Sequence, residues 1–354
     1  MICRSGSART WGSAAQVVAS VLILVLAGCG GGSGGSSGGG RSGDPDGETP
    51  AQPEKFAVGE LDRTFGDADP AGSGTGERLG YVVPTPDPGR LASNGVAVAT
   101  DAQDRIIVAG VIDCLDVTYR AALWRLLPDG TPDPDFSGSG GPCVARDPPS
   151  TPGGGTGYVT FAADSFVHGL VVAPDGEVLL AGKINAPGLV GNAVWRFRAD
   201  GSLDTAFGDP HPSGVRSGYT LIDDADGAAV GLESFGGRNA WLGLALDDSG
   251  RILVAGTAED RPVVTGCWGL LDKYVAVERY TADGVDDTSF GKGDFNATTS
   301  PYDGYFRFTR VVTDDAQDLG SGVAVDNEGR ILVTGRTPQD STTRLERMIL
   351  LRLR

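Results

Sequence analysis

The sequence predicts an all-β fold, a β-propeller of four four-stranded repeat units that is closed by the N-terminal segment. Three observations predict it: abundant turn-forming residues, an apolar motif that recurs four times, and one repeat unit that is split between the two ends of the chain. The chain has 354 residues with 56 glycines and 21 prolines, and 7% of its residues are aromatic. This composition favours many turns and short strands over long helices.

The first repeated feature is a pair of apolar runs joined by a turn rich in Asp and Gly. Two such runs around a turn predict a β-hairpin. The second run of each pair ends in glycine, and these glycines follow one another at intervals of 72, 74 and 79 residues. The four runs end at Gly110, Gly182, Gly256 and Gly335.

A third apolar run follows each hairpin and carries one arginine in register. In three units it leads into an Asp-Gly turn and the pattern Asp-x-x-Phe, and a fourth strand begins with Gly-Tyr. Four strands in each of four units predict a propeller or a related sheet array. The arginines are Arg125, Arg196, Arg279 and Arg352; the Asp-x-x-Phe patterns start at Asp133, Asp204 and Asp287; the Gly-Tyr strands start at Tyr81, Tyr158, Tyr219 and Tyr305.

The two ends of the chain complement each other. The last unit stops at Arg354, directly after its third strand, and the missing Asp-x-x-Phe pattern occurs near the N-terminus, from Asp62 to Phe65. A circular fold explains this split, because the N-terminal segment then completes the last unit and covers its sheet edge. We therefore assign the units to about residues 79–138, 156–209, 217–292 and 303–354 plus 55–66, within a propeller domain of residues 55–354.

The units resemble the bacterial delta-60 repeat family. Asp200 to Gly208 reads Asp-Gly-Ser-Leu-Asp-Thr-Ala-Phe-Gly, one residue away from the family pattern Asp-Gly-Ser-Leu-Asp-Thr-Ser-Phe-Gly. The hairpins are also similar to NHL-type propeller repeats. The resemblance implies a propeller-like fold over about residues 55–354 and implies no particular activity. The chain departs from the family pattern in its long connections, notably residues 257–273.

Residues 1–28 are typical of a bacterial lipoprotein signal peptide. Arg4 and Arg9 give a positively charged start, an apolar run follows, and the segment ends in Leu-Ala-Gly before Cys29. The ending resembles the lipobox of bacterial lipoproteins, which implies that Cys29 is acylated and holds the protein on a lipid bilayer. Residues 29–54 are rich in Gly and Ser and predict a disordered tether. Gly30, in place of the aspartate of an inner-membrane retention signal, favours the outer membrane of the cell envelope.

The charge of the chain limits its partners. There are 29 Lys plus Arg against 46 Asp plus Glu, a net charge of −17 at pH 7. Nucleic acid and anionic membrane surfaces repel such a protein, so we expect no nucleic-acid partner. Two histidines leave little room for His-rich metal chemistry, and we expect no cofactor and no metal site. Calcium stays open as an alternative, because residues 223–227 and 314–315 are dense in carboxylates.

The four arginines in register form the most prominent set of charged candidates. One interpretation is a ring of cations that grips an anionic ligand in a central channel. The other is one structural ion pair in each unit, in which the arginine holds the Asp-x-x-Phe turn. Repetition in every unit favours the structural pairs, which are Arg125–Asp133, Arg196–Asp204, Arg279–Asp287 and, across the closure, Arg352–Asp62.

Cysteines outside the signal segment predict one disulfide. Cys114 and Cys143 flank the third strand of the first unit and form the predicted pair, which leaves Cys267 as a free thiol.

No catalytic set emerges from the two histidines. His168 starts a hairpin strand, where the other units align Asn94, Leu242 and Ser321, and His211 lies between prolines in a turn. We interpret both as structural or surface residues.

The sequence favours a monomeric, non-enzymatic propeller, anchored to the envelope, whose connections bind a protein or a glycan. The alternative is an extracytoplasmic hydrolase or lyase with a carboxylate or metal site in the central channel. A structural module of an envelope assembly is the third class.

Overall fold

The computed structural model describes thirteen segments of the chain. They are residues 60–68, 78–83, 92–113, 119–136, 157–163, 165–186, 189–208, 216–222, 243–259, 273–291, 305–308, 318–338 and 346–354. Within these segments the regular secondary structure consists of fifteen β-strands. No helix in this part of the chain is long and apolar enough to cross a membrane.

The strands form four antiparallel sheets in chain order. The sheet boundaries lie inside the assigned units and not between them, because each strand that begins with Gly-Tyr pairs with the third strand of the preceding unit and completes its sheet. Sheet 1 contains β1 (Ala92–Thr100), β2 (Ile106–Asp113), β3 (Tyr119–Leu126) and β4 (Tyr158–Ala163). Sheet 2 contains β5 (Phe166–Val172), β6 (Val178–Ala186), β7 (Leu189–Phe197) and β8 (Tyr219–Ile222). Sheet 3 contains β9 (Gly243–Leu246), β10 (Ile252–Glu259), β11 (Lys273–Tyr280) and β12 (Tyr305–Phe308). Sheet 4 contains β13 (Leu319–Val325), β14 (Ile331–Pro338) and β15 (Glu346–Leu353).

This architecture is a β-propeller, and the predicted fold class is confirmed. Each sheet runs from an inner first strand to an outer last strand, and each sheet packs face to face on the next one. We call the face that contacts the preceding sheet the proximal face and the opposite one the distal face. Apolar clusters fill the three junctions between consecutive sheets. The core of the protein is therefore a series of similar layers between sheets.

A β-bulge near the start of the inner strand explains the glycine that ends the apolar run in sheets 1, 2 and 4. In sheet 2 the bulge lies between Val167 and Gly169, opposite Gly182. A Cβ atom on Gly182 would lie 2.0 Å from the carbonyl oxygen of Phe166, which is far closer than any real Cβ contact. Gly110 and Gly335 face the equivalent carbonyl oxygens of sheets 1 and 4, those of Asn94 and Leu319. The repeat needs glycine here because the backbone of the bulged strand lies too close to leave room for a side chain.

The predicted closure is not formed in the described residues. Consecutive sheets contact one another extensively from sheet 1 to sheet 4, but no junction of comparable extent joins sheet 4 to sheet 1. The N-terminal segment (described residues 60–68 and 78–83) lies against sheet 1, where the backbone N–H of Gly66 donates to the carbonyl oxygen of Asp129 at 2.9 Å. Sheet 4 consequently has three strands instead of the predicted four.

Replacing Gly182 with alanine should destabilise the protein by about 1–3 kcal/mol, the cost of overpacking a rigid contact. Gly191 on the neighbouring strand β7 is the matched control, because a Cβ atom there meets nothing within 4 Å. Urea unfolding of Gly182→Ala, Gly191→Ala and the parent measures the change in the free energy of unfolding for each variant. Equal stability of the two variants would contradict the role assigned to the bulge.

Candidate functional site

The repeated arginines lie where strands three of the first three sheets end, each beside the carboxylate eight residues later. Nε of Arg125 lies 2.7 Å from Oδ2 of Asp133, and both side chains are 3% exposed. Arg196 reaches Asp204 with Nε at 2.8 Å and Nη2 at 2.5 Å. Nε of Arg279 lies 2.7 Å from Oδ2 of Asp287. The structure thus brings together three of the four predicted pairs.

Each aspartate divides its two oxygens between the arginine and its own turn. Oδ1 of Asp204 accepts a hydrogen bond from the backbone N–H of Ala206 at 3.2 Å, while Oδ2 binds Arg196. Burial by itself raises the pKa of the Asp204 carboxyl, but the hydrogen bonds from Arg196 and Ala206 outweigh it, and the pKa lies below its ordinary value. The carboxylate therefore stays ionised at neutral pH and holds the turn that presents the following phenylalanine.

The arginines also connect one sheet to the next, which the sequence did not indicate. Nη1 of Arg196 donates to the carbonyl oxygen of Ala282 in the third unit at 2.8 Å, and Nη1 of Arg125 donates to the equivalent oxygen of Ala199. The guanidinium of Arg196 lies 4.8 Å from the ring centroid of Phe207. One cation thus binds its own turn, the aromatic ring of that turn and the backbone of the next sheet.

The phenylalanine completes the contact with the next sheet. The ring of Phe207 packs on Gly284 of the third unit, so closely that a Cβ atom there would lie 2.6 Å from the ring. Phe136 packs on Gly201 and Phe65 on Gly130 in the same way. These glycines have φ values between 78° and 87°, in the left-handed region that favours glycine. The repeated Asp-Gly dipeptide therefore serves as the receiving site for the phenylalanine of the preceding unit.

The fourth predicted pair is not brought together. Arg352 is exposed on β15, and Oδ1 of Asp62 accepts hydrogen bonds from the backbone N–H and the hydroxyl of Thr64 at 2.8 and 2.7 Å. The physical reason is the position of the N-terminal segment, which lies on sheet 1 and not beside β15. The arginines as a whole therefore do not form a ring of free cations, since three are bound in junctions.

His168 is the histidine that the structure describes, and it occupies the bulge of β5. The strand register places it level with Val96 and Ser321, the bulged residues of β1 and β13. The predicted alignment with Asn94 is wrong by two residues, because Gly95 precedes the bulge of β1 whereas Gly169 follows the bulge of β5. Burial, and to a smaller extent the charge of Lys183, lowers the pKa of His168 from 6.5 to about 4. The imidazole is therefore neutral at physiological pH.

A buried carboxylic acid in sheet 3 was missed by sequence reasoning. Glu278 is 6% exposed and accepts a hydrogen bond from the hydroxyl of Tyr280, which is itself buried. The register places Glu278 where the other sheets carry Trp124, Trp195 and Leu351. A charged residue at an otherwise apolar position of the repeat was the available signal.

Several predicted residues lie outside the described segments. They are the lipidation residue Cys29, the disulfide candidates Cys114 and Cys143, the thiol Cys267, His211, and the acidic residues 223–227 and 314–315. Among the residues that the structure does describe, no group of three or more His, Cys, Asp or Glu is arranged to hold a metal ion.

The repeat is similar to a known propeller family. Residues 104–136 and 173–207 match the family model described as "Domain of unknown function (DUF5122) beta-propeller". The two matches cover the second strand, the third strand and the Asp-x-x-Phe turn of the first and second units. The chain is therefore similar to a bacterial, repeat-type β-propeller family. No curated protein matches the sequence.

Solved structures with a similar fold include several enzymes. A glycosyl hydrolase from Bacteroides ovatus is 11% identical, with 73% of this chain and 66% of that chain covered and a TM-score of 0.29. A GH43_1 enzyme from Xanthomonas citri, complexed with xylose, is 10% identical, with 76% and 70% covered and a TM-score of 0.30. A gluconolactonase from Xanthomonas campestris is 14% identical, with 69% of each chain covered and a TM-score of 0.22. At TM-scores this low, we draw no conclusion about this chain from these similarities.

Arg196→Ala should lower the free energy of unfolding by about 3 kcal/mol, because it leaves Asp204 partly buried without its main cation and removes the bond to the next sheet. Arg198→Ala is the matched control, since Arg198 binds the other oxygen of the same carboxylate at 2.7 Å but is half exposed. We expect less than about 1 kcal/mol from the control. Chemical denaturation of both variants measures the difference, and similar losses would refute the assignment.

The stability contributed by keeping His168 neutral depends on pH. The unfolded imidazole binds a proton below about pH 6.5, whereas the folded one does so only near pH 4. Stability is therefore unaffected above the unfolded pKa and falls as the pH drops from about 6.5 to 4, by up to roughly 3 kcal/mol. His168→Gln should remove this loss and His211→Gln should not. Urea unfolding at pH 7.5 and pH 5.0 tests it, and an unchanged pH dependence in His168→Gln would contradict it.

Proposed function

We propose that this protein is a lipid-anchored β-propeller scaffold of the bacterial cell envelope that binds a protein or a glycan through its connections. The observation that carries the proposal is the contrast between a frame that repeats and connections that do not. In sheet 2 the hairpin from β6 to β7 needs two residues, 187–188, whereas the equivalent hairpin in sheet 3 contains residues 260–272. A rigid frame with unequal insertions is the usual arrangement of a binding protein.

The repeated polar residues support the frame and are not available for a ligand. Arg125, Arg196 and Arg279 are bound to aspartates, and each lies within 5 Å of a phenylalanine ring centroid. A ligand would therefore be recognised by residues that are not part of the repeat pattern. These groups lie in the inserted connections.

The insertion at residues 260–272 has the composition of a binding segment. It contains Trp268, Leu270 and Leu271, together with two acidic residues and one arginine. Tryptophan is enriched at the centres of protein interfaces, and aromatic rings provide flat apolar surfaces that a ligand covers. An ordinary polar hairpin turn needs none of these residues.

The anchor fits the same role. Acylation of Cys29 would hold the chain on the bilayer, and about 30 residues separate that cysteine from the first described residue. A flexible Gly/Ser-rich chain of this length has a root-mean-square span of about 30 Å. The propeller would then search a thin layer next to the membrane for its partner. Its negative charge would keep it from adhering to anionic lipid.

The test exchanges the insertion for the short hairpin. Residues 260–272 are replaced by the Pro-Gly of positions 187–188, and binding is measured on an array of envelope polysaccharides and on immobilised detergent-solubilised envelope proteins. We expect at least about a tenfold loss of binding with an unchanged melting temperature, because the connection is outside the frame. Arg198→Ala is the control and should bind like the parent. Undiminished binding after the exchange would contradict the proposed role of this connection.

The lipid anchor is tested separately, in cells that express the protein. Cys29→Ser should move the protein from the membrane fraction to the soluble fraction, because Cys29 is the residue proposed to carry the acyl chain. Fractionation followed by immunoblotting measures this. An unaltered membrane fraction would refute the lipid anchor without affecting the binding proposal.

A hydrolase or lyase is the second candidate, and His168 is the observation that favours it. Its imidazole lies in the bulge of an inner strand and is neutral at physiological pH, the form in which a general base acts. Hydrolysis of aryl glycosides or polysaccharides by the purified protein, abolished in His168→Gln, would select the enzyme over the scaffold.

A further inference from the structure

The large apolar side chains that remain exposed are concentrated at the two ends of the sheet series. Eight such side chains are exposed among the described residues, and seven belong to the N-terminal segment, β1 or β15. The exception is Tyr119, whose ring lies 5.9 Å from that of Phe166. The seven are Leu61, Tyr81, Val83, Val96, Val98, Met348 and Leu350. A monomer with this structure leaves a coherent apolar surface open to water at each end.

The distal face of sheet 4 is exposed at positions that are buried in the other sheets. Leu350 is 63% exposed, whereas the residues in the same register, Leu123, Val194 and Val277, are fully buried against the next sheet. Met348, at 80%, corresponds to Val275, which is also fully buried. These side chains therefore occupy positions that the fold elsewhere covers with a following sheet.

The proximal face of sheet 1 is also exposed, at positions of its inner strand β1 that pack against a preceding sheet in the other three sheets. Val98 is 60% exposed, whereas Val323 in the same register of sheet 4 is 9% exposed. Leu170 and Leu244, the equivalents in sheets 2 and 3, pack into the junction clusters. Every internal junction joins one distal face to one proximal face, so the two ends carry the two halves of a fourth junction.

The N-terminal segment carries the outer strand that sheet 4 lacks. Its backbone repeats the geometry of the second unit: the N–H of Gly80 donates to the oxygen of Phe65 at 2.9 Å, as that of Gly218 does to Phe207 at 3.1 Å. The segment is held on sheet 1 by Gly66 and Asp129, as Gly208 is held by Asp283 at the junction of sheets 2 and 3. The missing strand is thus already positioned beside the open proximal face.

We propose that two copies of this chain join head to tail. The distal face and the β15 edge of each copy receive the N-terminal segment and sheet 1 of the other, which gives a two-fold ring of eight sheets. The second copy is the occupant because sheets 4 and 1 of one chain form no junction like the internal ones among the described residues, and Leu350 and Val98 on their open faces stay exposed. Two identical head-to-tail contacts close a ring, and eight blades lie within the range of propellers. This dimer takes the place of the monomer expected from the sequence.

The repeat fixes the register of the new strand pair. Tyr158, Tyr219 and Tyr305 pair with Trp124, Trp195 and Glu278 in the three complete sheets. Tyr81 of one copy therefore pairs with Leu351 of the other. The same geometry brings Asp62 of one copy to Arg352 of the other. Arg352 follows Leu351 in β15, and in each complete unit the equivalent arginine forms an ion pair with the equivalent aspartate.

The first test is an intermolecular cross-link. Copies carrying Tyr81→Cys and copies carrying Leu351→Cys are co-expressed with different tags and oxidised, so that a bond between the two tags joins different chains. The equivalent pairs are of the non-hydrogen-bonded type, in which the side chains approach most closely. A doubly tagged dimer, absent when either variant is expressed alone, is the expected result. Its absence, or a bond within one chain carrying both substitutions, would overturn the proposal.

The second test is the mass in solution, measured by light scattering on the full chain after the signal peptide. We expect about twice the monomer mass for the parent and for Ser249→Arg, a control in an exposed turn of sheet 3. Leu350→Arg and Val98→Arg should each yield monomers, with circular dichroism confirming retained β-structure. Because each variant keeps one intact half of the junction, mixing them should restore dimers that neither forms alone. A folded parent monomer would overturn the proposal and indicate closure within one chain.

Discussion

The structure depends on a guanidinium that joins sheet 1 to sheet 2 through Arg125 and sheet 2 to sheet 3 through Arg196. A guanidinium that binds a carboxylate in its own turn, lies over the phenylalanine of that turn and donates to the backbone of the next sheet fixes the position of two sheets at once. Burying a charge in this way is costly unless its hydrogen bonds are satisfied and its counter-ion is close, and all of these partners are present. In the first and second units the repeat is therefore a unit of packing as well as of sequence. Each of these units supplies the arginine that bonds to the next sheet and the glycine that receives the preceding phenylalanine.

A frame held by repeated contacts leaves function to the residues that break the repeat. Glu278 replaces a tryptophan or leucine, His168 occupies a bulge that carries valine or serine elsewhere, and residues 260–272 lengthen one hairpin out of four. Each departure adds a polar or extended feature that the other units lack at that position. The proposed scaffold places ligand recognition in such departures, and the alternative enzyme would use them as well.

Much of the fold and part of the candidate site were predictable, for local reasons. Strands followed from short apolar runs between turns, and the pairs of Arg125, Arg196 and Arg279 followed from an aspartate eight residues later in the same turn. The alignment of Asn94 with His168 failed because the two glycines that guided it lie on opposite sides of the bulge, Gly95 before it in β1 and Gly169 after it in β5. Closure within one chain was inferred from a split unit, but a split unit fits a junction within one chain and a junction between two chains equally well.

The sequence by itself indicated the content of each unit: its strands, its turn, its ion pair and the Asp-x-x-Phe pattern displaced to the N-terminus. Only the tertiary structure decided which backbone oxygen each arginine reaches, 74 and 86 residues further along the chain, and which two faces stay uncovered. The reason is physical. Contacts within a turn are set by a few neighbouring dihedral angles, whereas contacts between sheets depend on how whole faces pack against each other, and no short pattern encodes that packing.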